Sequence, residues 1–310
     1  MAEAKRHHYL PESYLAGFTR GRTPESLFYV FDRDAGAFRP QTPKNTAVQG
    51  HYYTVETIDG QRSSRAESVL AQVESIAIPI IRGIDERKPL NMNDKLELAM
   101  FIALLYTRVP RFERVIREMT DGLYKRVNER EISSVERAAY WLRRHEEKTG
   151  EKLEITPEQV YEYFSAGQYD VVLEQGAVVH RMFEAALGFA KLLPVMAWIV
   201  GVAPENTSFI TTDAPFVTIP PEKHKGPYGF GTPGAVTLVP LSQRSCLCIG
   251  GTAMLVAYSD LPKSQVREVN IGLAQGCERF VIARDETLLR NIVAKSRTHT
   301  MQRRPLVHFA

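Results

Sequence analysis

The spacing of apolar residues changes twice along this chain, and this change most constrains what the chain can fold into. From Ser64 to about Lys148, apolar residues recur every three or four positions, as they do on one face of an α-helix. Before Ser64 and after about Lys191 they alternate with polar residues or form short runs, which is typical of β-strands. The pattern predicts an α+β fold with a mixed or antiparallel sheet built from N- and C-terminal strands and a large helical layer in the middle.

The order of these segments also predicts the domain organisation. We interpret residues 1–310 as a single domain in which a helical subdomain, at about 64–190, is inserted between strand-rich segments 1–63 and 191–310. The second predicted helix is apolar nearly all round, so we expect it to form the buried centre of the helical layer. The first four predicted helices run from Ser64 to about Lys88, Asn93 to Arg108, Arg111 to Arg130 and Ser133 to Lys148.

Cysteine content and hydropathy indicate a cytoplasmic protein. Three cysteines make an odd number without paired spacing, and nothing near Met1 resembles the apolar region of a signal peptide. The longest apolar stretch, Leu192 to Pro204, is interrupted by proline and glycine and is shorter than the about 20 residues that cross a bilayer. Cys246 and Cys248 alternate within an apolar run, so we expect them to pack on one face of a strand as inert thiols.

The charge of the chain allows nucleic acid as a possible partner but does not require it. A net charge of +3 is too small to imply such a partner by itself, but no acid follows Glu286. A solvated helix face and tail explain this basic C-terminus as well as a phosphate-binding surface does. Its basic residues are Arg290, Lys295, Arg297, Arg303 and Arg304.

Two glutamates of the first predicted helix are candidate ligands. Glu67 and Glu74 are seven residues apart and therefore lie on one face at about 100° per residue. The opposite face, which includes Val69 and Ile76, is also apolar, so we expect packing on two sides and a cation, a metal or a hydrogen-bond network beside the carboxylates. Alternatively, Glu67 completes a capping box with Ser64, whereas Glu74 lies too far into the helix to cap it.

Four further residues are candidates for chemistry. The pKa of a histidine is readily shifted across neutral pH, so the side chain can act as a neutral ligand or as a charged acid. His7 and His8 are adjacent, so they point to opposite sides of an extended segment. Asp213 follows an apolar strand and precedes a proline bend, which suits a metal ligand, a general base or simply a turn residue. Arg108 ends the apolar helix, and such an arginine usually has a carboxylate or phosphate partner.

Taken in order, these motifs resemble a known family. The pattern HHY-x-P-x-x-Y-L-x-x-F at the start of the chain and the later motifs YYTV, YTRVPR, ITTDAP and LVPLS resemble the bacterial family called domain of unknown function 4238, from about Lys5 to Gly250. The resemblance implies that the matching residues form one site and implies no particular activity. The matching residues are His7, His8, Tyr9, Pro11, Tyr14, Leu15, Phe18, Glu67, Glu74, Arg108, Asp213 and Pro215.

Two functions fit this set of residues. The first is a metal-dependent phosphodiester hydrolase resembling a nuclease, in which Mg²⁺ or Mn²⁺ activates water and Arg108 stabilises the developing charge. The second is a non-catalytic binding or regulatory module whose polar cluster recognises a nucleotide or a peptide. For the hydrolase, the predicted catalytic residues are His7, His8 and Arg108, and the predicted metal ligands are Glu67, Glu74 and Asp213.

Overall fold

The computed structural model of the protein describes residues 6–53, 55–56, 62–63 and 65–298. Among these residues, no helix has the length and apolar character needed to span a membrane. The helices are α1 (Glu12–Ala16), α2 (Arg65–Asp85), α3 (Met92–Thr107), α4 (Pro110–Glu131), α5 (Val135–Thr149), α6 (Pro157–Ala166), α7 (Gln175–Leu192), α8 (Lys263–Gly276) and α9 (Glu286–Ser296). The strands are β1 (Arg6–His8), β2 (Phe28–Asp32), β3 (Ala37–Gln41), β4 (Val48–Gly50), β5 (Val55–Glu56), β6 (Arg62–Ser63), β7 (Ala197–Val202), β8 (Thr211–Thr212), β9 (Val217–Ile219), β10 (Val236–Pro240), β11 (Ser245–Gly250), β12 (Val256–Asp260) and β13 (Phe280–Ala283).

Strands from the two ends of the chain share one sheet. Its order is β3-β2-β13-β8, and each pairing is antiparallel. The central strand β13 places Phe280 opposite Asp32 of β2 and Val281 opposite Thr212 of β8. This arrangement confirms the predicted α+β fold, in which N- and C-terminal strands join across a helical middle.

A second sheet has the order β12-β7-β11-β10-β9. Its pairings are antiparallel except for that of β12 with β7, which is parallel. Cys246 and Cys248 of β11 belong to one buried core cluster, which also contains apolar residues of α8 and α9. The predicted placement of these two thiols on one packed face is therefore confirmed.

The helices α2 and α3 differ in how much of their surface is buried. The prediction for α3 is confirmed, because most of its residues are buried on all sides. The prediction that α2 packs on two sides is wrong. Its buried residues, such as Leu70 and Ile81, lie on one side, while Val69 and Ile76 are exposed.

The chain divides into two compact units. One comprises Met1–Phe112 and Val179–Ala310, and the other comprises Glu113–Val178. The smaller unit has its own small core, in which Ala138 and Val160 are buried. The helices α2 and α3, which the sequence groups with the helical insertion, belong to the larger unit.

The start of the chain is integrated into the larger unit. The side chains of Leu15 and Phe18, both from the HHY-x-P-x-x-Y-L-x-x-F pattern, are fully buried. The hydroxyl of Tyr14 lies 2.8 Å from Thr211 Oγ1 of β8 and donates to the carbonyl oxygen of Pro240 in β10 at 2.8 Å. Since β8 and β10 belong to different sheets, Tyr14 joins the two sheets through a buried hydroxyl.

Candidate functional site

The imidazole of His7 is buried and both of its nitrogens have partners. Strand β1 pairs with β4 and places His7 opposite Gln49, with the side chain 4 % exposed. Nδ1 accepts a hydrogen bond from the backbone N–H of Tyr53 at 2.8 Å, and Nε2 lies 2.9 Å from Glu67 Oε1. Because the amide can only donate, Nδ1 carries no proton, and the neutral ring donates from Nε2 to Glu67.

His8 points the other way, as the alternation of a strand predicts. Its Nε2 lies 3.1 Å from the carbonyl oxygen of Lys44. Its own carbonyl oxygen accepts a hydrogen bond from Arg108 Nη2 at 2.7 Å. The side chain of His8 therefore contacts the loop before β4, and its backbone contributes to the site.

Arg108 follows α3 directly, and its guanidinium is almost completely buried. Nη1 donates to Glu74 Oε1 at 2.7 Å, and Nε donates to the hydroxyl of Tyr53 at 3.2 Å. Burial alone lowers the pKa of Arg108, but Tyr53 and Glu74 outweigh this effect and hold the pKa above its usual value. The expected partner of Arg108 is thus a carboxylate of this chain.

Tyr53 links the two pairs, although the sequence singled out no role for it. Its amide binds His7, its hydroxyl binds Arg108, and its ring stacks on the imidazole with centroids 5.7 Å apart. Residues 51–53 form a turn in which His51 has a φ of 52°. We call His7, Tyr53, Glu67, Glu74 and Arg108 the N-terminal network.

The two carboxylates are the accessible members of the N-terminal network. The side chain of Glu67 is 33 % exposed and that of Glu74 is 21 % exposed. Ser64, the predicted partner of Glu67 in a capping box, lies outside the described residues. The carboxylate of Glu67 pairs with His7, so it has a role in the network apart from any role at the start of α2.

Asp213 binds a different part of the fold. Its Oδ1 and Oδ2 accept hydrogen bonds from the backbone amides of Glu278 and Arg279, at 3.0 and 2.6 Å, in the turn before β13. Burial raises the pKa of Asp213, and these amides oppose that effect. Burial and then the charge of Asp213 also raise the pKa of Tyr9, so Asp213 acts electrostatically on the N-terminal motif. The carboxylate itself serves as a turn residue, one of the roles the sequence left open.

The predicted metal ligands do not converge in the described part of the chain. Among residues 6–53 and 65–298, no group of three or more histidines, cysteines, aspartates or glutamates is placed to hold a metal ion. A divalent hard cation takes six or more oxygen ligands, several of them carboxylates or waters. Glu67 and Glu74 are bound to His7 and Arg108, and Asp213 to two amides, so this donor set does not fit Mg²⁺ or Mn²⁺ as it stands.

The cysteines do not supply an alternative nucleophile. All three are free thiols and are buried. Burial raises the pKa of Cys248 to about 12, and burial followed by the charge of Asp213 raises that of Cys277 to about 12. Since the thiolate is the reactive form, these thiols are inert near neutral pH.

Fold and network together define an α+β protein whose N-terminal strand is joined to a helical layer by the His7–Glu67 pair and by the hydrogen bond from Arg108 to the carbonyl oxygen of His8. The chain matches, over residues 6–287, the family described as "Protein of unknown function (DUF4238)", and it belongs to that family. The match extends past Gly250 and takes in β12, α8 and β13. No curated protein and no solved structure matches the chain.

Proposed function

We propose that this protein is a non-catalytic binding or regulatory module in which the N-terminal network recognises a cationic group of a peptide. The observation that carries the proposal concerns the carboxylate of Glu67. His7 binds one of its oxygens, while a third of the side chain stays accessible to solvent. A carboxylate fixed in this way offers acceptor oxygens to a ligand and loses little conformational entropy on binding.

The charge of the network favours a peptide over a nucleotide. With the imidazole neutral, two carboxylates outnumber one guanidinium, and that guanidinium is already paired with Glu74. A net negative site attracts an ammonium or guanidinium group and repels a phosphate. The side chain of an arginine or lysine, or the amino terminus of a peptide, therefore suits it best.

The state of the basic groups also supports binding over catalysis. A general base needs a free lone pair within reach of a substrate, and both nitrogens of His7 are engaged. Arg108 uses Nη1, Nη2 and Nε on Glu74, His8 and Tyr53. The metal-dependent phosphodiester hydrolase, with nucleic acid as a substrate, stays a prediction that requires Glu67, Glu74 and Asp213 to rearrange around one ion.

A peptide-library experiment tests the proposal. Immobilised wild-type protein is exposed to pools of peptides in which one position is fixed as Arg, Lys or Glu. We expect retention of the Arg and Lys pools and about tenfold weaker retention by Glu67→Gln, which keeps the shape and removes the charge. Glu25→Gln, at an exposed glutamate, is the matched control. Equal retention of the Glu pool, or an unchanged Glu67→Gln variant, would contradict the proposal.

Elemental analysis separates the two functions. We expect the purified protein to bind no stoichiometric Mg²⁺ or Mn²⁺. One ion per chain, lost in both Glu67→Gln and Asp213→Asn while the proteins stay folded, would support the hydrolase instead. A cytoplasmic location is part of the proposal, and the three free, buried cysteines are compatible with it.

A further inference from the structure

A cleft lined by three cations lies between α8, α9 and the segment after β7. Its volume is about 350 Å³. Lys263 and Arg267 line it from α8, and Lys295 lines it from α9. Leu288 and Ile292 supply an apolar floor. None of these residues belongs to the N-terminal network.

The three cations have no counter-ion in the described part of the chain. No carboxylate there lies within 4.0 Å of the charged nitrogens of Lys263, Arg267 or Lys295, whereas Arg290 of α9 and Arg297, which follows α9, are engaged. Arg290 is paired with Glu286, and Arg297 lies over the ring of Phe31. Lys263 and Arg267 are four residues apart on one helix, a spacing at which like charges repel. The cleft is therefore a site where an anion lowers the electrostatic energy.

An adjoining cleft of about 320 Å³ has a different character. The two clefts share Asn206, Thr207, Leu288 and Asn291 in their linings. The second one adds Glu205 and Asp285, and it also contains Arg284, whose Nη1 donates to Ser208 at 3.4 Å. Asp285 caps α9 by accepting from the amide of Leu288 and lies 3.8 Å from Arg284, so Glu205 and the side-chain amides offer the acceptors at this end of the combined groove, while the other end is cationic and suits an anion. The combined volume of the two clefts is in the range of small-molecule sites.

We propose that this groove binds a phosphorylated sugar, free or as part of a mononucleotide. The phosphate would lie among Lys263, Arg267 and Lys295, where ammonium and guanidinium groups supply charge-assisted hydrogen bonds. The sugar hydroxyls would donate to Glu205 and Asn291. This site is independent of the peptide site, because phosphate binding needs the cations of α8 and α9 and does not need Glu67.

Calorimetric titration of the full chain tests this site. The probes are ribose 5-phosphate, AMP, adenosine and inorganic phosphate. We expect ribose 5-phosphate or AMP to bind with a Kd at or below about 1 mM. Adenosine should not bind, and higher salt should weaken the binding because exposed charges are screened.

Three variants locate the binding. Lys263→Gln combined with Arg267→Gln should weaken binding at least about tenfold, the loss expected when charge-assisted contacts to a phosphate are removed. Lys225→Gln, at an exposed lysine outside the cleft, should leave it unchanged. Glu205→Gln should weaken the binding of ribose 5-phosphate and leave the binding of inorganic phosphate unchanged. Because these side chains are exposed, we expect unchanged melting temperatures.

Three results would overturn the proposal. The first is that neither ribose 5-phosphate nor AMP binds. The second is binding that is equally strong in the Lys263 and Arg267 double variant. The third is that a single-stranded oligonucleotide binds through these cations while both small phosphates do not, which would make the groove a nucleic-acid surface instead.

Discussion

Arg108 donates from Nη2 to the carbonyl oxygen of His8 at 2.7 Å, and this bond ties the end of α3 to the first strand of the chain. The same guanidinium binds Glu74 on α2, so three segments meet at one buried cation. A buried cation of this kind is stable only while its acceptors remain in place. The position of the N-terminal strand therefore depends on the residue that follows α3.

Arg108→Gln should lower the free energy of unfolding by about 3 kcal/mol, because it leaves the carboxylate of Glu74 without its partner. Glu74→Gln should also be strongly destabilising, since it leaves the buried guanidinium of Arg108 without its carboxylate. Urea denaturation measures both. Arg20→Gln, at an exposed arginine, is the control. An Arg108→Gln variant as stable as the control would show that the guanidinium does not hold the segments together.

His7→Ala should expose the backbone amide of Tyr53, which donates to Nδ1 of the imidazole. A lost hydrogen bond of about 1.4 kcal/mol corresponds to about tenfold faster hydrogen exchange at that amide. His8→Ala should leave the Tyr53 amide protected, because that imidazole contacts Lys44. Exchange measured by NMR separates the two variants. Similar rates at Tyr53 in both would contradict the tautomer assigned to His7.

Tyr14→Phe should destabilise the protein by about 1–2 kcal/mol. The substitution removes the hydroxyl that joins Thr211 to Pro240 and leaves the Pro240 carbonyl buried without this donor. Tyr228→Phe, at a half-exposed tyrosine, should change stability by less than about 0.5 kcal/mol. Thermal unfolding followed by circular dichroism measures both, and equal melting temperatures would exclude a stabilising role for the Tyr14 hydroxyl.

Asp32 should make the fold sensitive to acid. Its hydrogen bonds from Arg279 lower its pKa from the ordinary value of 3.8, despite the opposing effect of burial. Since the folded pKa lies below the unfolded one, the stabilisation is present above pH 3.8 and is lost as the pH falls through the lowered pKa. Asp32→Asn should therefore lose less stability than wild type on acidification from about pH 5 to pH 2.

This comparison is made as a difference between variant and wild type, because Asp213 acts in the opposite direction. Burial raises the pKa of Asp213, so its ionisation costs stability at neutral pH and that cost disappears in acid. Glu25→Gln, at an exposed glutamate, controls for the change in net charge. A pH profile of Asp32→Asn parallel to that of wild type would show that the Arg279 pair contributes nothing.

The sequence predicted those features that depend on local periodicity. The apolar pattern of α3 and the alternation at His7 and His8 are both properties of neighbouring residues, and both agree with the structure. β12 escaped prediction because it is an edge strand of intermediate burial with no alternation to detect. Lys95 lies buried within α3 because its Nζ reaches the carbonyl oxygen of Met196, a partner that helical spacing does not reveal.

The candidate site was predictable only in part for a similar reason. The sequence predicted a cation, a metal or a hydrogen-bond network beside Glu67, and the partner in the structure is the imidazole of His7. The placement of Asp213 does not follow from the sequence, because its donors are amides of Glu278 and Arg279, far along the chain. The role of Tyr53 was not predicted, because its backbone amide donates to the imidazole of His7 and not to a neighbouring strand. Such a tertiary contact leaves no local pattern in the sequence.

The position of β13 between β2 and β8 has a consequence for biosynthesis. During translation, β2 leaves the ribosome long before its partner β13 has been synthesised. Val30 and Phe31 of β2, which are buried in the folded protein, therefore lack one neighbouring strand during that time. Such distant pairing slows folding and leaves apolar surface open to aggregation in the nascent chain. The sheet β3-β2-β13-β8 can therefore be completed only after the chain has been synthesised through Ala283.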